Sequence, residues 1–294
     1  MNKLFLIFNP VSGKKSANTH LADIIDIFCK NDYEVTIYAS QKRNDIKNQL
    51  INLEDIYNLA VVIGGDGSLN EAVSAYMENS NLPPLGYIPA GSTNDFAKSL
   101  KLSTSQKECA KAIASGNDFN CDIGYFNNNY FTYVAAFGSI SEVSYSTPQA
   151  SKNILGHNAY VVEGLKQVLN MKKYRMKIAY DDQIIEDEFC YGMISNSSSI
   201  GGFKFYKENT YSLDDGEFEC MFIKYPNNPL DLSQVYYALQ HHEYKESLRI
   251  YHFKTSKLTI SSPKDVKWTL DGEFAGKHKD VEIACLNKVI TFRK

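Results

Sequence analysis

The chain has 294 residues, of which 44% are apolar, and a formal net charge of −3 at neutral pH. This length and apolar content suffice for two domains with separate cores. The balance of charge, with no long basic run, argues against nucleic acid as a partner. The longest apolar stretches have the length of a strand, so no transmembrane helix is predicted.

Strands and helices alternate in the first half of the sequence. Strands are predicted at 4–8, 34–38, 59–63 and 85–88, and helices at about 16–30, near 45–50, from Ser68, from near Asn94 and at 106–114. This alternation is typical of a parallel sheet with helices on both faces. In such sheets, ligands bind beyond the carboxyl ends of the strands.

The pattern changes after Asn120. Hairpins are predicted from 122–126 with 130–137 and from 174–180 with 184–191, and further strands at 218–225, 257–261, 266–270, 281–286 and 289–292. Helical insertions are predicted near 157–170 and 230–239. The second half is therefore expected to be mostly antiparallel, with a boundary near 120–125.

The glycine-rich segment 64–71 follows the third predicted strand and opens a helix. Ser68 and Glu71 have the spacing of a capping box, which predicts that the helix starts at Ser68. Glycines at a strand-to-helix turn leave backbone amides bare, and such a surface suits phosphate. Asp66 fits beside phosphate only when a divalent cation lies between them.

Two more loops, 9–16 and 89–97, are rich in Gly, Asn, Ser or Pro and follow other strands of the first half. Neighbouring loops at one sheet edge would bring Asp66 and Asp95 together, and two carboxylates repel unless a cation or a proton intervenes. Glycine-rich turns are also ordinary features of α/β proteins, and an early helical Asp is an ordinary dipole partner. Three such loops, two of them with an aspartate, favour a magnesium-nucleotide site. From spacing alone, the turns at 212–217 and 268–274 are best explained as plain turns.

In combination, these segments resemble the diacylglycerol kinase-type lipid kinases, in particular their soluble bacterial branch. The resemblance covers nearly the whole chain and rests on Asn9-Pro10 with Ser12-Gly13, GGDGSLNE at 64–71, PAGSTNDFA at 89–97, Cys121-Asp122-Ile123-Gly124, LDDG at 213–216 and LDGE at 270–273. GGDG alone is shared with NAD kinases and phosphofructokinases. Ser68 and Ser92 stand where the family usually has threonine, and serine keeps the hydroxyl and the capping role.

The resemblance implies an α/β fold with two domains. A parallel-sheet nucleotide-binding domain would span residues 1–122. An antiparallel β-sandwich domain with helical insertions, which binds the lipid substrate, would span 123–294. The active site would lie in the cleft between them.

The resemblance also assigns residues. ATP would be contacted by Asn9, Pro10, Val11, Ser12, Gly13, Ser40, Gly65, Asp66, Gly67, Ser68, Leu69, Asn70, Glu71 and Ser92. The catalytic magnesium would be organised through water by Asp66, Asp95 and Asp122, while Asp271 would be the general base and Glu273 its acidic neighbour. A structural magnesium would be held by the Asp215 side chain and by the carbonyls of Ser212 and Glu217. The resemblance therefore assigns functions to the turns at 212–217 and 268–274, which spacing alone explains as plain turns.

The implied function is ATP- and Mg²⁺-dependent phosphorylation of a lipid hydroxyl, with diacylglycerol, which would give phosphatidic acid, as the first candidate acceptor. The sequence leaves phosphatidylglycerol, a sphingoid base and an undecaprenyl-type alcohol open as acceptors. Scattered cysteines without C-x-x-C favour a cytoplasmic protein, and the lipid requires peripheral contact with the membrane. Basic residues near the 157–170 helix are candidates for anionic headgroups or for an ordinary solvated face: Lys152, Lys166, Lys172, Lys173 and Arg175. Dimers occur among relatives, so a homodimer is compatible with the resemblance. The alternatives are an NAD kinase-like phosphotransferase, against which the NPVSG and STNDFA loops argue, and a non-catalytic lipid- or nucleotide-binding regulator.

Overall fold

The computed structural model describes residues 1–15, 19–138, 171–197, 199–200, 203–204, 212–244 and 247–294. The described helices are α1 (Leu21–Lys30), α2 (Asp45–Ile51), α3 (Asp66–Glu78), α4 (Asp95–Ser99), α5 (Gln106–Ser115) and α6 (Pro229–His241). The first strands are β1 (Asn2–Phe8), β2 (Tyr33–Ala39), β3 (Leu59–Gly64) and β4 (Leu85–Pro89). The later ones are β5 (Asp118–Phe126), β6 (Asn129–Phe131), β7 (Val134–Gly138), β8 (Tyr174–Tyr180), β9 (Gln183–Ser195), β10 (Ser199–Ile200), β11 (Phe203–Lys204), β12 (Phe218–Lys224), β13 (Ile250–Thr255), β14 (Lys257–Leu270) and β15 (Glu273–Arg293).

Four parallel strands in the order β4-β3-β1-β2 form the sheet of the first half. Helices α1 and α5 cover one face through residues such as Phe28 and Ile113. Helices α2 and α3 cover the other through Leu50 and Val73. Every residue of β3 is buried as a result. The loops after β1, β3 and β4 therefore meet at one edge of the sheet, where α/β folds bind ligands.

Helix α3 begins at Asp66, with Gly65 as its N-cap residue, and not at Ser68. The predicted capping box is wrong because both of its side chains have other partners. Ser68 Oγ accepts a hydrogen bond from Asn9 Nδ2 (3.4 Å). The Glu71 carboxylate turns away from its own helix and accepts hydrogen bonds from two backbone amides at the start of α2.

The second half is antiparallel, as predicted, but its strands differ in extent. Asn127 and Asn128 close the β5–β6 hairpin with positive φ values of 41° and 66°, which is the pattern of a type I′ turn. The strand predicted at 130–137 is interrupted between β6 and β7. The strands predicted at 257–261 and 266–270 form a single β14, those at 281–286 and 289–292 belong to β15, and β13 was not predicted. The helix predicted near 157–170 lies outside the described residues.

Strand β15 connects the two halves of the chain. It pairs antiparallel with β14 and β5, and its end pairs parallel with β4. One mixed sheet of 13 described strands results. The β-sandwich form of the second half and the domain boundary at residue 122 stay predictions. None of the described helices combines the length and the apolar character needed to cross a bilayer.

Candidate active site

A cavity of about 810 Å³ is lined by the loops after β1, β2 and β3 and by the hairpin between β14 and β15. Most residues predicted to contact ATP line it: Asn9, Pro10, Val11, Ser12, Ser40, Gly65, Asp66, Gly67, Ser68, Asn70 and Glu71. Gly13, Leu69 and Ser92 are not among the lining residues. The Leu69 side chain is fully buried in the core, where it supports the turn, and its predicted contact with ATP stays a prediction.

The glycine turn after β3 packs directly against the loop after β4. A Cβ atom on Gly65 would lie 3.2 Å from Gly91 Cα, and one on Gly91 would lie 2.6 Å from Gly65 Cα. Glycine is therefore required where the two backbones approach. The Ser12 hydroxyl also accepts a hydrogen bond from Gly65 N (3.2 Å), which ties the loop after β1 to the same turn.

Asp66 lies at the junction of these loops. Its Oδ2 accepts a hydrogen bond from Asn94 N (3.0 Å), while its Oδ1 is buried and has no hydrogen-bond partner among the described residues. Burial raises the pKa of Asp66, and the nearby charge of Asp95 adds to that rise. Asp95 itself is 1% exposed and pairs with Lys98 (3.0 Å). An orphaned carboxylate oxygen beside a second carboxylate fits a hard divalent cation.

Asp271 occupies the turn between β14 and β15, with a φ of 50° followed by 83° at Gly272. Its Oδ1 accepts hydrogen bonds from the amides of Tyr133 (2.9 Å) and Val134 (3.1 Å). Its Oδ2 accepts from the amide and hydroxyl of Thr132 (2.7 and 2.9 Å). Burial raises the pKa of Asp271, and these hydrogen bonds oppose the rise. The interruption between β6 and β7 thus frees three amides to hold one carboxylate.

Two side chains of α3 link the glycine turn to other elements. Asn70 Nδ2 donates to Asp271 Oδ2 (3.1 Å) and to the Tyr130 carbonyl (3.3 Å). Glu71 holds the amides of Asn44 (2.8 Å) and Ile46 (3.2 Å). Asn70 therefore positions the glycine turn relative to Asp271, and Glu71 fixes the adjoining helix α2.

The sequence did not point to several residues of this cavity. Gln41, Lys42 and Arg43, which follow β2, line it together with Ser40. The pair Lys42 and Arg43 was a signal that could have predicted this, because the loops that follow parallel strands lie at one edge of the sheet. The amides of Thr132 to Val134 carry no sequence signal. Glu273, as predicted, lines the same cavity as Asp271.

Asp122 is placed away from these groups, at the turn formed by residues 213–216. Its carboxylate accepts hydrogen bonds from Gly216 N (2.6 Å), Lys288 N (2.7 Å) and Asn287 Nδ2 (3.1 Å). Burial raises its pKa, the amides oppose the rise, and the charges of Asp215 and Asp214 add to it. The structure thus brings Asp66, Asp95 and Asp271 together and joins Asp122 to the predicted structural-metal turn.

The Asp215 carboxylate at that turn already has a cationic partner. Lys254 Nζ lies 3.2 Å from Asp215 Oδ2 and 2.8 Å from Glu219 Oε1, and Glu219 is only 2% exposed. Glu217 N donates to Asp215 Oδ1 (3.2 Å). No three His, Cys, Asp or Glu side chains converge on a metal position in the part of the chain that the structure describes. A magnesium ion would need carbonyl, phosphate or water ligands as well.

Two of the basic residues that are candidates for anionic headgroups are already paired. Lys173 lies 2.8 Å from Glu188, and Arg175 lies 3.3 Å from Glu186. Lys152 and Lys166 lie outside the described residues. The described part of this group therefore resembles an ordinary solvated strand face.

Comparison with known proteins identifies the family. Residues 3–126 match the family model described as the diacylglycerol kinase catalytic domain. A diacylglycerol kinase from Staphylococcus saprophyticus is 32% identical over 273 residues, covering 92% of this chain and 89% of that protein. One from Staphylococcus epidermidis is 34% identical over 273 residues, covering 92% of this chain and 86% of that protein. The chain belongs to the diacylglycerol kinase family.

Solved structures share the fold of this family member. A crystal structure of a diacylglycerol kinase from Bacillus anthracis has a TM-score of 0.75 at 21% identity, covering 99% of this chain and 96% of that one. A second structure from that organism has a TM-score of 0.80 at 22% identity, covering 99% and 95%. Membership of the diacylglycerol kinase family makes the chain an enzyme, a kinase with an alcohol as phosphate acceptor.

Proposed function

We propose that this kinase uses ATP and Mg²⁺ to phosphorylate diacylglycerol at the cytoplasmic surface of the membrane, giving phosphatidic acid. The observation that carries the proposal is that Asp66 and Asp271, far apart in sequence, line one cavity together with the glycine turn at the start of α3. The names of the Staphylococcus relatives support diacylglycerol as the acceptor. A homodimer stays a prediction.

In the proposed reaction, a bond forms between the acceptor oxygen and the γ-phosphorus while the bond to the bridging oxygen of ADP breaks. Asp271 takes the proton that the alcohol loses, a contribution of about 10²–10⁴-fold for a positioned base. The amides of the glycine turn and the N-terminus of α3 hold the phosphates. Asp66, with Asp95 beside it, would hold a magnesium ion, which neutralises negative charge on the transferred group when bound.

We also propose a structural magnesium at the Asp215 turn, where it competes with the Lys254 ammonium. Mg²⁺ should therefore raise the melting temperature of Lys254→Met more than that of the wild type. Differential scanning fluorimetry with and without MgCl₂ measures the effect, with Lys177→Met on an exposed strand position as the control. An equal response to Mg²⁺ in Asp215→Asn and the wild type would place the ion elsewhere.

The function is tested by incubating the purified protein with γ-labelled ATP, Mg²⁺ and one acceptor at a time. Diacylglycerol, phosphatidylglycerol, a sphingoid base and an undecaprenyl-type alcohol are presented in mixed micelles, and NAD in solution. We expect the wild type to give labelled phosphatidic acid from diacylglycerol, and the Asp66→Ala variant to give no labelled product. Labelled NADP would support the NAD kinase alternative. A second outcome, no labelled product from any acceptor, would support the non-catalytic alternative.

A further inference from the structure

Tyr133 has a fixed position beside the catalytic carboxylates, and the proposed mechanism does not use this residue. Its amide donates to Asp271 Oδ1 (2.9 Å). Its carbonyl accepts hydrogen bonds from Asn196 N (3.0 Å) and Ser195 Oγ (3.0 Å). The side chain is 6% exposed. Its backbone is therefore held from both sides, and its hydroxyl position is set by the fold.

The Tyr133 hydroxyl lies at the turn that carries Asp271. A Cβ atom on Gly272 would be 3.9 Å from Tyr133 Oη. Burial raises the pKa of Tyr133, and the charges of Asp271, Asp66, Asp95 and Glu273 add to that rise, so all four carboxylates are near the ring. The phenol therefore keeps its proton and remains a hydrogen-bond donor.

No hydrogen bond joins this hydroxyl to another side chain or backbone group of the described residues, and its oxygen is not one of their fully buried unpaired atoms, so it keeps some contact with solvent. Tyr87, which lies close to Tyr133 and Asp66, differs because its hydroxyl donates to the Gly64 carbonyl (3.2 Å). A phenol hydroxyl without a protein partner can donate a hydrogen bond to a ligand. Asp66 Oδ1 is a second polar atom nearby without a hydrogen-bond partner. A bound ligand would satisfy both.

Tyr133 is not itself one of the residues that line the cavity, but carboxylates from both halves of the chain act on it. Asp66 and Asp95 follow strands of the parallel sheet, whereas Asp271 and Glu273 belong to the β14–β15 turn. A phosphoryl group that passes from ATP to an alcohol at Asp271 crosses the space between them. Its oxygens would meet the carboxylates of Asp66, Asp271 and Glu273, which line the cavity, and would need hydrogen-bond donors there. A neutral phenol supplies one without a further ionised group.

We propose that Tyr133 is a catalytic residue whose hydroxyl donates a hydrogen bond to an oxygen of the phosphoryl group during transfer, an inference that rests on the proposed lipid kinase activity. The bond is strongest when charge spreads over the phosphoryl oxygens. Its loss should therefore lower kcat more than it weakens binding of ATP.

The test is Tyr133→Phe, which removes the hydroxyl and keeps the buried ring. We expect kcat for diacylglycerol phosphorylation to fall about 10- to 100-fold, as for the loss of one hydrogen bond to a charged group, with the KM for ATP within about twofold and the melting temperature nearly unchanged. The matched control is Tyr125→Phe, because the Tyr125 hydroxyl bonds Asn128 at an exposed hairpin. A second readout uses aluminium fluoride, which mimics the transferred phosphoryl group. The affinity of Tyr133→Phe for ADP with aluminium fluoride should fall, while its affinity for ADP alone should not.

Three results would overturn the assignment, and they are distinguishable. A wild type that is folded but labels no lipid would remove the proposed function and this inference together. An active wild type with Tyr133→Phe within twofold of its kcat would remove the role of Tyr133 alone. A loss of kcat that only parallels a drop in melting temperature would show that the hydroxyl stabilises the fold.

Discussion

At the scale of single residues, the backbone around Asp271 influences the ionisation of its side chain. Burial raises its pKa and favours the proton, whereas the amides of Thr132, Tyr133 and Val134 stabilise the anion. A base must be ionised before transfer and protonated after it. Opposing influences of this kind keep both forms accessible.

Replacing Asp271 by Asn should lower turnover at least about 100-fold, because an amide cannot take the proton. One face of the Asn amide would also present N–H groups to backbone N–H groups, so the free energy of unfolding should fall by about 1–3 kcal/mol. Lipid phosphorylation and urea denaturation measure the two effects. Asp182→Asn, on an exposed hairpin turn, is the control. Turnover near the wild-type value would show that Asp271 is not the base.

Glu219 should make stability depend on pH. Burial raises its pKa from 4.5 to about 7, although its pairing with Lys254 opposes the rise. Between these pH values the folded chain holds a proton that the unfolded chain has released, so stability falls as pH rises. Glu219→Gln should remove about 1–3 kcal/mol of the change in unfolding free energy between pH 5 and pH 8.

Urea denaturation at both pH values measures this dependence on Glu219. Glu188→Gln is the matched control, because Glu188 makes an exposed ion pair with Lys173 and should leave the slope unchanged. The same slope in Glu219→Gln and in the wild type would contradict the prediction.

The individual site residues were predictable to different degrees. Asp66 and Asp95 stand at strand-to-helix turns, where position along the chain already implies a place at the sheet edge. Asp271 was assigned by resemblance, since its spacing alone fits a plain hairpin turn. The ion pair of Asp215 with Lys254 has no local signal, because the two residues meet only through tertiary packing.

At the scale of elements, helix α2 depends on a cap from another helix. The N-cap residue Asn44 makes no side-chain capping hydrogen bond, and the Glu71 carboxylate of α3 holds the first amides of α2 instead. Glu71→Ala should therefore lower the free energy of unfolding by about 1–2 kcal/mol. It should also speed hydrogen exchange at the amides of Asn44 and Ile46.

Glu78→Ala is the matched control for this cap. Glu78 also lies on α3 and reaches α2, but only through a half-exposed ion pair with Lys47, which should contribute under about 1 kcal/mol. Unchanged exchange at Asn44 in Glu71→Ala would show that α2 does not need the contact.

Strong periodicity made the first-half elements predictable within a few residues, because each helix packs on the strands beside it in sequence. The wrong predictions concern elements whose bounds depend on contacts with residues distant in sequence. The capping box failed because Asn9 and α2 compete for its side chains. Strand β15 was predicted as separate pieces because a polar stretch interrupts its apolar pattern. In the structure, the strand continues through that stretch because it pairs with β14, β5 and β4.

At the scale of the whole molecule, the pairing of β15 with β4 should make the two halves unfold together. Trp268 is the chain's sole tryptophan and lies in β14, whereas helices α1 to α5 belong to the first half. Tryptophan fluorescence and circular dichroism at 222 nm should therefore report the same midpoint in urea. Distinct midpoints in the wild type would show that the halves are independent.

Phe292→Ala should weaken that connection. Phe292 is 1% exposed, packs on Phe96 with ring centroids 5.6 Å apart, and belongs to the end of β15 that pairs with β4. The loss should be about 3–5 kcal/mol. Tyr125→Phe again serves as a control with little effect.

The interruption between β6 and β7 has a consequence for how this protein tolerates mutation. Every amino acid except proline brings the same N–H group to the main chain. The backbone hydrogen bonds to Asp271 therefore do not depend on which side chains occupy positions 132 and 134, whereas the Thr132 hydroxyl adds one bond that does. Position 134 should therefore accept other side chains that fit the core while the anion stays bound, and proline should not be accepted at positions 132 to 134, because it brings no N–H group.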